Sequence, residues 1–170
     1  MSSQSESSPL PDQLIQFMRH VPSPVMVVTA MGPEGARGMT AGSFTSVSKT
    51  PPLISFNVQK ESQMYSAITT TKYFAVHLLA EDQALFSNHF ATPGLTSEQQ
   101  FAEIAHHIHE TGVPVMDGTM GALVCKPYAL HEAGDHVLVL GEVVDVVDGR
   151  EGKPLVYQNR AYRQLVEPAE

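Results

Sequence analysis

Two long runs rich in β-branched residues, about Thr119 to Glu132 and His136 to Val147, are separated only by Ala133-Gly134-Asp135. The Gly-Asp pair is a tight-turn signal, so the two runs read as an antiparallel hairpin. A second hairpin is expected nearer the start of the chain. There the compact apolar run Val25 to Ala30 leads through Gly32-Pro33-Glu34-Gly35 into a strand beginning near Gly38. Pro51-Pro52 then breaks the chain before Leu53 to Val58, in which Leu53, Ser55 and Asn57 alternate with Ile54, Phe56 and Val58. Strands therefore run consecutively at both ends of the sequence.

Helical spacing lies between and before them. Leu14, Phe17 and Met18 follow Asp12, which is placed to cap a helix reaching about His20, where Pro22 and Pro24 end it. Ser62 is placed to cap a helix carrying Met64, Tyr65 and Ile68, which leads into the strand Phe74 to Leu79; another helix is expected from about Asp82. Phe101, Ile104, Ala105 and Ile108 form an i, i+3, i+4, i+7 stripe, which predicts an amphipathic helix between Ser97 and Thr111. This order favours a mainly β fold with inserted helices, a largely antiparallel barrel rather than a doubly wound parallel sheet.

The 170 residues suit one domain, expected over 10–170 after a flexible tail at 1–9. With 42% hydrophobic and 16% charged residues, there is apolar material for a sizeable core. A formal charge of −8 argues against nucleic acid and anionic membranes as partners, because both are bound through clustered Lys and Arg. Cys125 is the lone cysteine, which excludes an intramolecular disulfide and a Cys-based zinc site. A reducing cytoplasm is the expected setting. Met1 to Pro9 carry no basic residue and no apolar run, unlike a secretory or transit segment, and no apolar stretch approaches the roughly 20 residues of a membrane span.

Four places carry candidate chemistry. In residues 38–53, small and hydroxylated side chains follow an apolar strand: Thr40, Ser43, Thr45, Ser46 and Ser48 offer hydroxyls, while Ala41 and Gly42 leave the backbone open to a flat ring. Regular alternation would put Gly42, Phe44, Ser46 and Ser48 on one face. The same composition also fits a half-buried strand with a polar outer face. Lys60-Glu61-Ser62 at a helix start joins an ammonium, a hydroxyl and free N–H groups, a combination apt for phosphate, although an ordinary cap beside a solvated lysine reads the same way. His136, at the opening of a long strand, suits proton exchange near neutral pH or contact with a ring edge, and equally an incidental surface position. His106, His109 and Glu110 would share one side of a helix, but the apolar stripe is complete without them, so they are read as solvated rather than metal-binding. Cys125 reads as a small buried residue rather than a nucleophile.

The chain resembles the short-chain flavin reductase family, the reductase partners of two-component flavin monooxygenases, which share an FMN-binding split barrel. The resemblance spans about residues 14–166. It is carried by Gly38-Met39-Thr40-Ala41-Gly42-Ser43-Phe44-Thr45-Ser46-Val47-Ser48 with Pro51-Pro52-Leu53, by Phe74 to Leu79, by Phe86 through Phe90-Ala91, and by Gly134-Asp135-His136 with Gly141-Glu142-Val143. It departs from the pattern at Gly42, where a larger polar residue is common, at His77, where Asn is usual, and at Met64, which replaces a hydroxyl residue.

What the resemblance implies is an antiparallel split β-barrel that transfers hydride from NADH or NADPH to FMN, with FAD as the other candidate flavin. It implies that Thr40 and Ala41 meet the ring edge, that Ser46, Val47 and Ser48 surround the phosphate, and that Ser62 adds a phosphate contact; Met39, Gly42 and Lys60 are expected as further cofactor contacts beside them. Phe90 and Tyr162 match aromatic positions near the flavin, and His136 would face the nicotinamide. A homodimer and a monooxygenase partner are likewise implied. The alternative is a flavin-binding electron carrier without productive nicotinamide access, because a fold alone does not fix an activity.

Overall fold

The computed structural model describes residues 8–168. Most of the expected tail, residues 1–7, lies outside them. The chain forms α1 (Leu10–Met18), β1 (Ser23–Pro24), β2 (Met26–Gly32), β3 (Gly35–Ala41), β4 (Thr45–Ser48), β5 (Leu53–Gln59), α2 (Gln63–Thr70), β6 (Phe74–Leu78), α3 (Ala84–Phe90) and α4 (Ser97–Phe101). There follow β7 (His106–Ile108), β8 (Pro114–Met116), β9 (Gly121–Ala133), β10 (His136–Asp148), β11 (Val156–Gln158) and β12 (Ala161–Arg163).

Seven strands form one sheet in the order β3-β2-β6-β9-β10-β5-β4, and every neighbouring pair is antiparallel. The expected hairpins are present. β2 and β3 pair up to Gly32 opposite Gly35, leaving Pro33-Glu34 as the turn, and β9 and β10 meet across Gly134-Asp135, with Gly134 at φ +65°. The sheet curls but does not close by hydrogen bonds. β3 stands at one edge and β4 at the other, and Gly42-Ser43-Phe44 carry the chain across the split. Across that crossing the Asn57 N–H donates to Ser43 Oγ at 2.9 Å.

Period-two alternation explains why β2 is buried on both faces. Met26, Val28 and Ala30 face a core shared with Phe56, Ile68 and Phe74, whereas Val25 and Val27 face a second cluster with Leu79, Phe90, Phe101 and Leu155. In β5, Ile54, Phe56 and Val58 fill the first core while Asn57 and Gln59 reach solvent. His77 on β6 is fully buried, with Nδ1–H donating to Val27 O (2.9 Å) and Nε2 accepting from the Met116 N–H (3.0 Å). Both ring nitrogens are thus committed to joining β2 and β8. Burial holds the imidazole neutral, lowering its pKa to about 4; the Val27 bond opposes that shift and the charge of His107 adds a little to it.

Three expectations differ from the fold. The 97–111 segment is not one helix: α4 ends at Phe101, and His106–Ile108 pairs with Pro114–Met116 as a small hairpin. Thr96 and Gln99 form a capping box that starts α4. Gly112, at φ +87°, turns the chain so that Ala105, His109 and their partners bond across to Asp117 and Val113 instead of along a helix. The stripe of apolar residues is real but only Phe101 and Ile104 are buried; Ile108 is exposed. Asp12 lies inside the first turn of α1, whose cap position is Pro9. Finally, the strand from Gly38 does not run regularly through Ser48, because it leaves the sheet at Gly42.

Candidate functional site

β3 is an edge strand, so half of its backbone groups have no strand partner. At Gly38 the Gln100 side chain takes that place, accepting from the Gly38 N–H (3.0 Å) and donating to its carbonyl (3.1 Å). Two residues on, alternation turns the N–H and C=O of Thr40 the same way, toward a cleft of about 600 Å³. The Thr40 side chain is occupied elsewhere, its hydroxyl donating to Ser87 O at 2.6 Å. Thr40 therefore offers its backbone to the cleft.

The cleft gathers parts of the chain that are far apart in sequence. Met39 and Thr40 come from β3, Asn57 and Gln59 from the end of β5, Ser62 to Met64 from the start of α2, Phe90 to Gly94 from the end of α3 and the segment after it, and His136 from the start of β10. Ser62 occupies the cap position of α2 without making a side-chain cap; its Oγ donates instead to Gln59 O (2.7 Å). The first N–H groups of α2 are thus left for a ligand, at the positive end of the helix. Among the described residues, Glu61 is the one carboxylate in the lining, and no Lys or Arg lines it.

His136 is half exposed and its Nδ1–H donates to the Asp135 carboxylate at 2.7 Å, which leaves Nε2 as the free ring nitrogen. The bond from His136, followed by that residue's charge, holds the Asp135 carboxyl below the usual carboxylate range. Phe90 is buried, edge-on to His89 and Phe101 with ring centroids 5.3 and 5.6 Å apart, and its ring fills the space where Gly38 has no side chain. A Cβ at Gly38 would lie 2.4 Å from that ring.

A smaller cleft of about 270 Å³ adjoins the first, sharing Thr40 and Ala91 with it. It holds Ala41, Gly42 and Tyr162. The Tyr162 hydroxyl lies 2.9 Å from Ser87 Oγ and 2.7 Å from Asn88 Oδ1, and its ring packs edge-on to Tyr157. Among the residues singled out in the sequence, Met39, Thr40, Ser62, Phe90 and His136 share the large cleft, and Ala41, Gly42 and Tyr162 the small one. Ser46, Val47 and Ser48 line neither; they sit on the edge strand β4, with Ser46 and Val47 exposed. Lys60 forms an ion pair with Glu132 on β9 and is likewise outside the lining.

A third cleft, about 510 Å³ between Phe44, Met120 and Val146, contains none of these residues. The histidines of the 106–109 hairpin face carboxylates singly, His107 on Asp117 (2.7 Å) and His109 on Asp145 (3.0 Å). Cys125 is buried, and desolvation pushes its thiol up to about 12. Sequence reasoning missed Asn57, Gln100 and the 91–94 segment. Only Gln100 left a trace, as a polar residue beside Phe101 on a helix whose apolar face turns inward.

The family model of the flavin reductase like domain matches residues 18–166. An FMN reductase (NADH), SmoA, of Agrobacterium fabrum is 39% identical over 138 residues, covering 81% of this chain and 76% of that protein. The reductase component of 4-hydroxyphenylacetate 3-monooxygenase of Thermus thermophilus is 38% identical over 147 residues, 86% of this chain and 91% of that one. The structure of a Streptomyces globisporus NADH:FAD oxidoreductase, SgcE6, in complex with NAD and FAD fragments superposes with a TM-score of 0.86 at 33% identity, covering 95% of this chain and 96% of that one. A split antiparallel sheet with its cleft at the β3 edge, matched over nearly its whole length, places this chain in the flavin reductase like domain family.

Proposed function

We propose that this protein is an NAD(P)H:flavin oxidoreductase that holds FMN or FAD in the large cleft and reduces it with a nicotinamide dinucleotide. The observation that carries this reading is the convergence on one cleft of the outward Thr40 backbone, the uncapped start of α2 and His136, in a chain of this family. The donor set fits such a ligand. A volume of about 600 Å³ lies within the range of cofactor sites. Thr40 offers one N–H and one C=O side by side, matching a ring edge that both accepts and donates, and Met39, Met64 and Phe90 supply apolar surface for a flat ring.

Bound flavin would supply the two-electron acceptor for the nicotinamide hydride. The residues of this chain bind, orient and exclude water. Ser62 and the N–H groups of Gln63 and Met64 would hold a phosphate without a cation. His136, anchored by Asp135, presents Nε2 to orient the nicotinamide or hold a proton. Tyr162, Ala41 and Gly42 would border the ring from the smaller cleft. Lys60, paired with Glu132, is assigned to the outer field of the phosphate.

Ser46, Val47 and Ser48, on a free sheet edge, are assigned to the phosphate side of a site completed by a second copy of the chain. Exposed Val47, Tyr128, Leu130, Val144 and Val146 support a homodimer. The relationship to a monooxygenase reductase component supports a monooxygenase as the consumer of reduced flavin, and the buried free thiol suits the cytoplasm. Among the described residues no helix is long and apolar enough to cross a membrane.

Anaerobic stopped-flow mixing of flavin-loaded protein with NADH and with NADPH tests the activity. Rapid bleaching at about 450 nm, where oxidised flavin absorbs, is expected. Flavin binding without bleaching by either dinucleotide would identify an electron carrier instead, and a monomer by light scattering would remove the dimer.

A further inference from the structure

We propose that Arg37 is a positioning residue that sets the width of the nucleotide cleft by pinning its two walls together, an inference that rests on the flavin reductase reading. Arg37 lies on β3 just before Gly38 and is 6% exposed. One guanidinium nitrogen donates both to Gln63 Oε1 (3.1 Å) and to Leu95 O (2.8 Å), while the other reaches Glu34 at 3.3 Å. Glu34 is 83% exposed, so solvent screens that ion pair. The charge is carried into the interior mainly by the amide and the carbonyl.

Those two acceptors belong to two different elements at the cleft, α2 and the segment after α3. Gln63 opens α2 and lines the cleft; Leu95 follows Gly94, the last lining residue of the segment after α3. That segment is anchored at its start by bonds from the Ala91 and Thr92 N–H groups to Ser87 and His89, and beyond Leu95 by the Thr96 capping box. Between these anchors Gly94 adopts φ +79° with no heavy atom within 4 Å of where a Cβ would lie. Arg37 ties this span to α2. The next residue is clasped by Gln100, whose own carbonyl accepts from His89 Nε2 at 2.8 Å, so Arg37 and Gly38 register β3, α3 and α4 together. Both bonds leave one planar guanidinium nitrogen, whose N–H directions are fixed by the plane of the group; an ammonium on a more flexible stem can reach the same acceptors but holds them less rigidly.

Arg37→Ala, Arg37→Lys and Gln63→Ala test this in the full chain. Expected in Arg37→Ala are rises of roughly 10-fold in the FMN Kd and in the KM for NADH, because misplacing a wall by a fraction of an ångström weakens alignment, with kcat at saturation changing less. Arg37→Lys should recover part of both, and amide exchange across residues 91–95 should quicken in each variant. Variants that lose melting temperature yet keep wild-type Kd, KM and exchange would overturn the proposal. If Arg37→Ala does not fold, Arg37→Lys, which loosens the link, and Gln63→Ala, which removes its α2 end alone, decide by the same readouts. Wild-type protein that takes up no FMN would remove the flavin reading and this inference with it; active wild type with indifferent variants would remove this inference alone.

Discussion

Acid should weaken this fold through one buried ring. His77 titrates at about 4 in the folded protein against 6.5 as an ordinary histidine, chiefly because burial excludes its charged form. Between those values the unfolded chain binds a proton that the folded chain refuses, so stability is full above pH 6.5 and falls as pH is lowered through the window. The loss approaches 1.36 kcal/mol per pH unit and sums to about 3 kcal/mol once both states are protonated, with about 2.5 kcal/mol gone by pH 4.5. Other histidines and carboxylates also titrate, so the informative quantity is a difference. His77→Asn removes the ring and should be less stable at pH 7.5 by roughly 1–3 kcal/mol, since a buried backbone partner loses its bond. Its deficit should shrink as pH drops, because the variant has nothing to protonate there. Urea unfolding of both proteins at pH 7.5, 6.5, 5.5 and 4.5 measures this. Parallel stability profiles across that range would refute the assignment of the neutral ring.

At the cleft, His136→Ala should lower kcat and kcat/KM for NADH together by roughly 100-fold in steady-state assays while the FMN Kd stays within about twofold, the pattern of a lost proton or orienting contact rather than lost ground-state binding. Gly38→Ala forces its Cβ against the Phe90 ring, a ring already wedged by His89 and Phe101; a cost of roughly 1–3 kcal/mol by denaturant unfolding is expected, with weakened FMN binding as the ring shifts. Glu61→Lys should tighten FMN by roughly fivefold at low salt and leave riboflavin, which has no phosphate, unchanged in fluorescence titrations. Cys125, with its thiol pushed up to about 12, should resist a thiol-specific reagent at pH 8 in the folded protein and react on unfolding in denaturant.

The strands were legible because their information is local. Val25 to Ala30 and the 119–147 hairpin announce themselves through apolar runs and a Gly-Asp turn, and both pair as expected. The 97–111 segment was not, since its helical stripe coincides with a chain that instead spends residues 106–116 on a hairpin stabilised by bonds to Val113 and Asp117. Nothing in the local pattern ranks those two outcomes. The same divide runs through the site. Thr40, Ser62 and His136 carry residue types that advertise binding, Phe90 entered through the family resemblance, and all four share one cleft. Lys60 looks identical in sequence whether it faces a phosphate or a glutamate; only the pairing of β10 with both β5 and β9 brings Glu132 to it. Arg37 and Gln100 act by clasping backbone several elements away, a role that no spacing encodes.

The crossing at Gly42-Ser43-Phe44 joins the two outermost strands of the sheet. It works as a hinge pin: lengthening it would let the two margins drift apart, and shortening it would drag β3 off β2. Because β3, whose Thr40 backbone borders the large cleft, precedes this pin and the edge strand β4 follows it, indels here should be tolerated far less than indels in other surface connections.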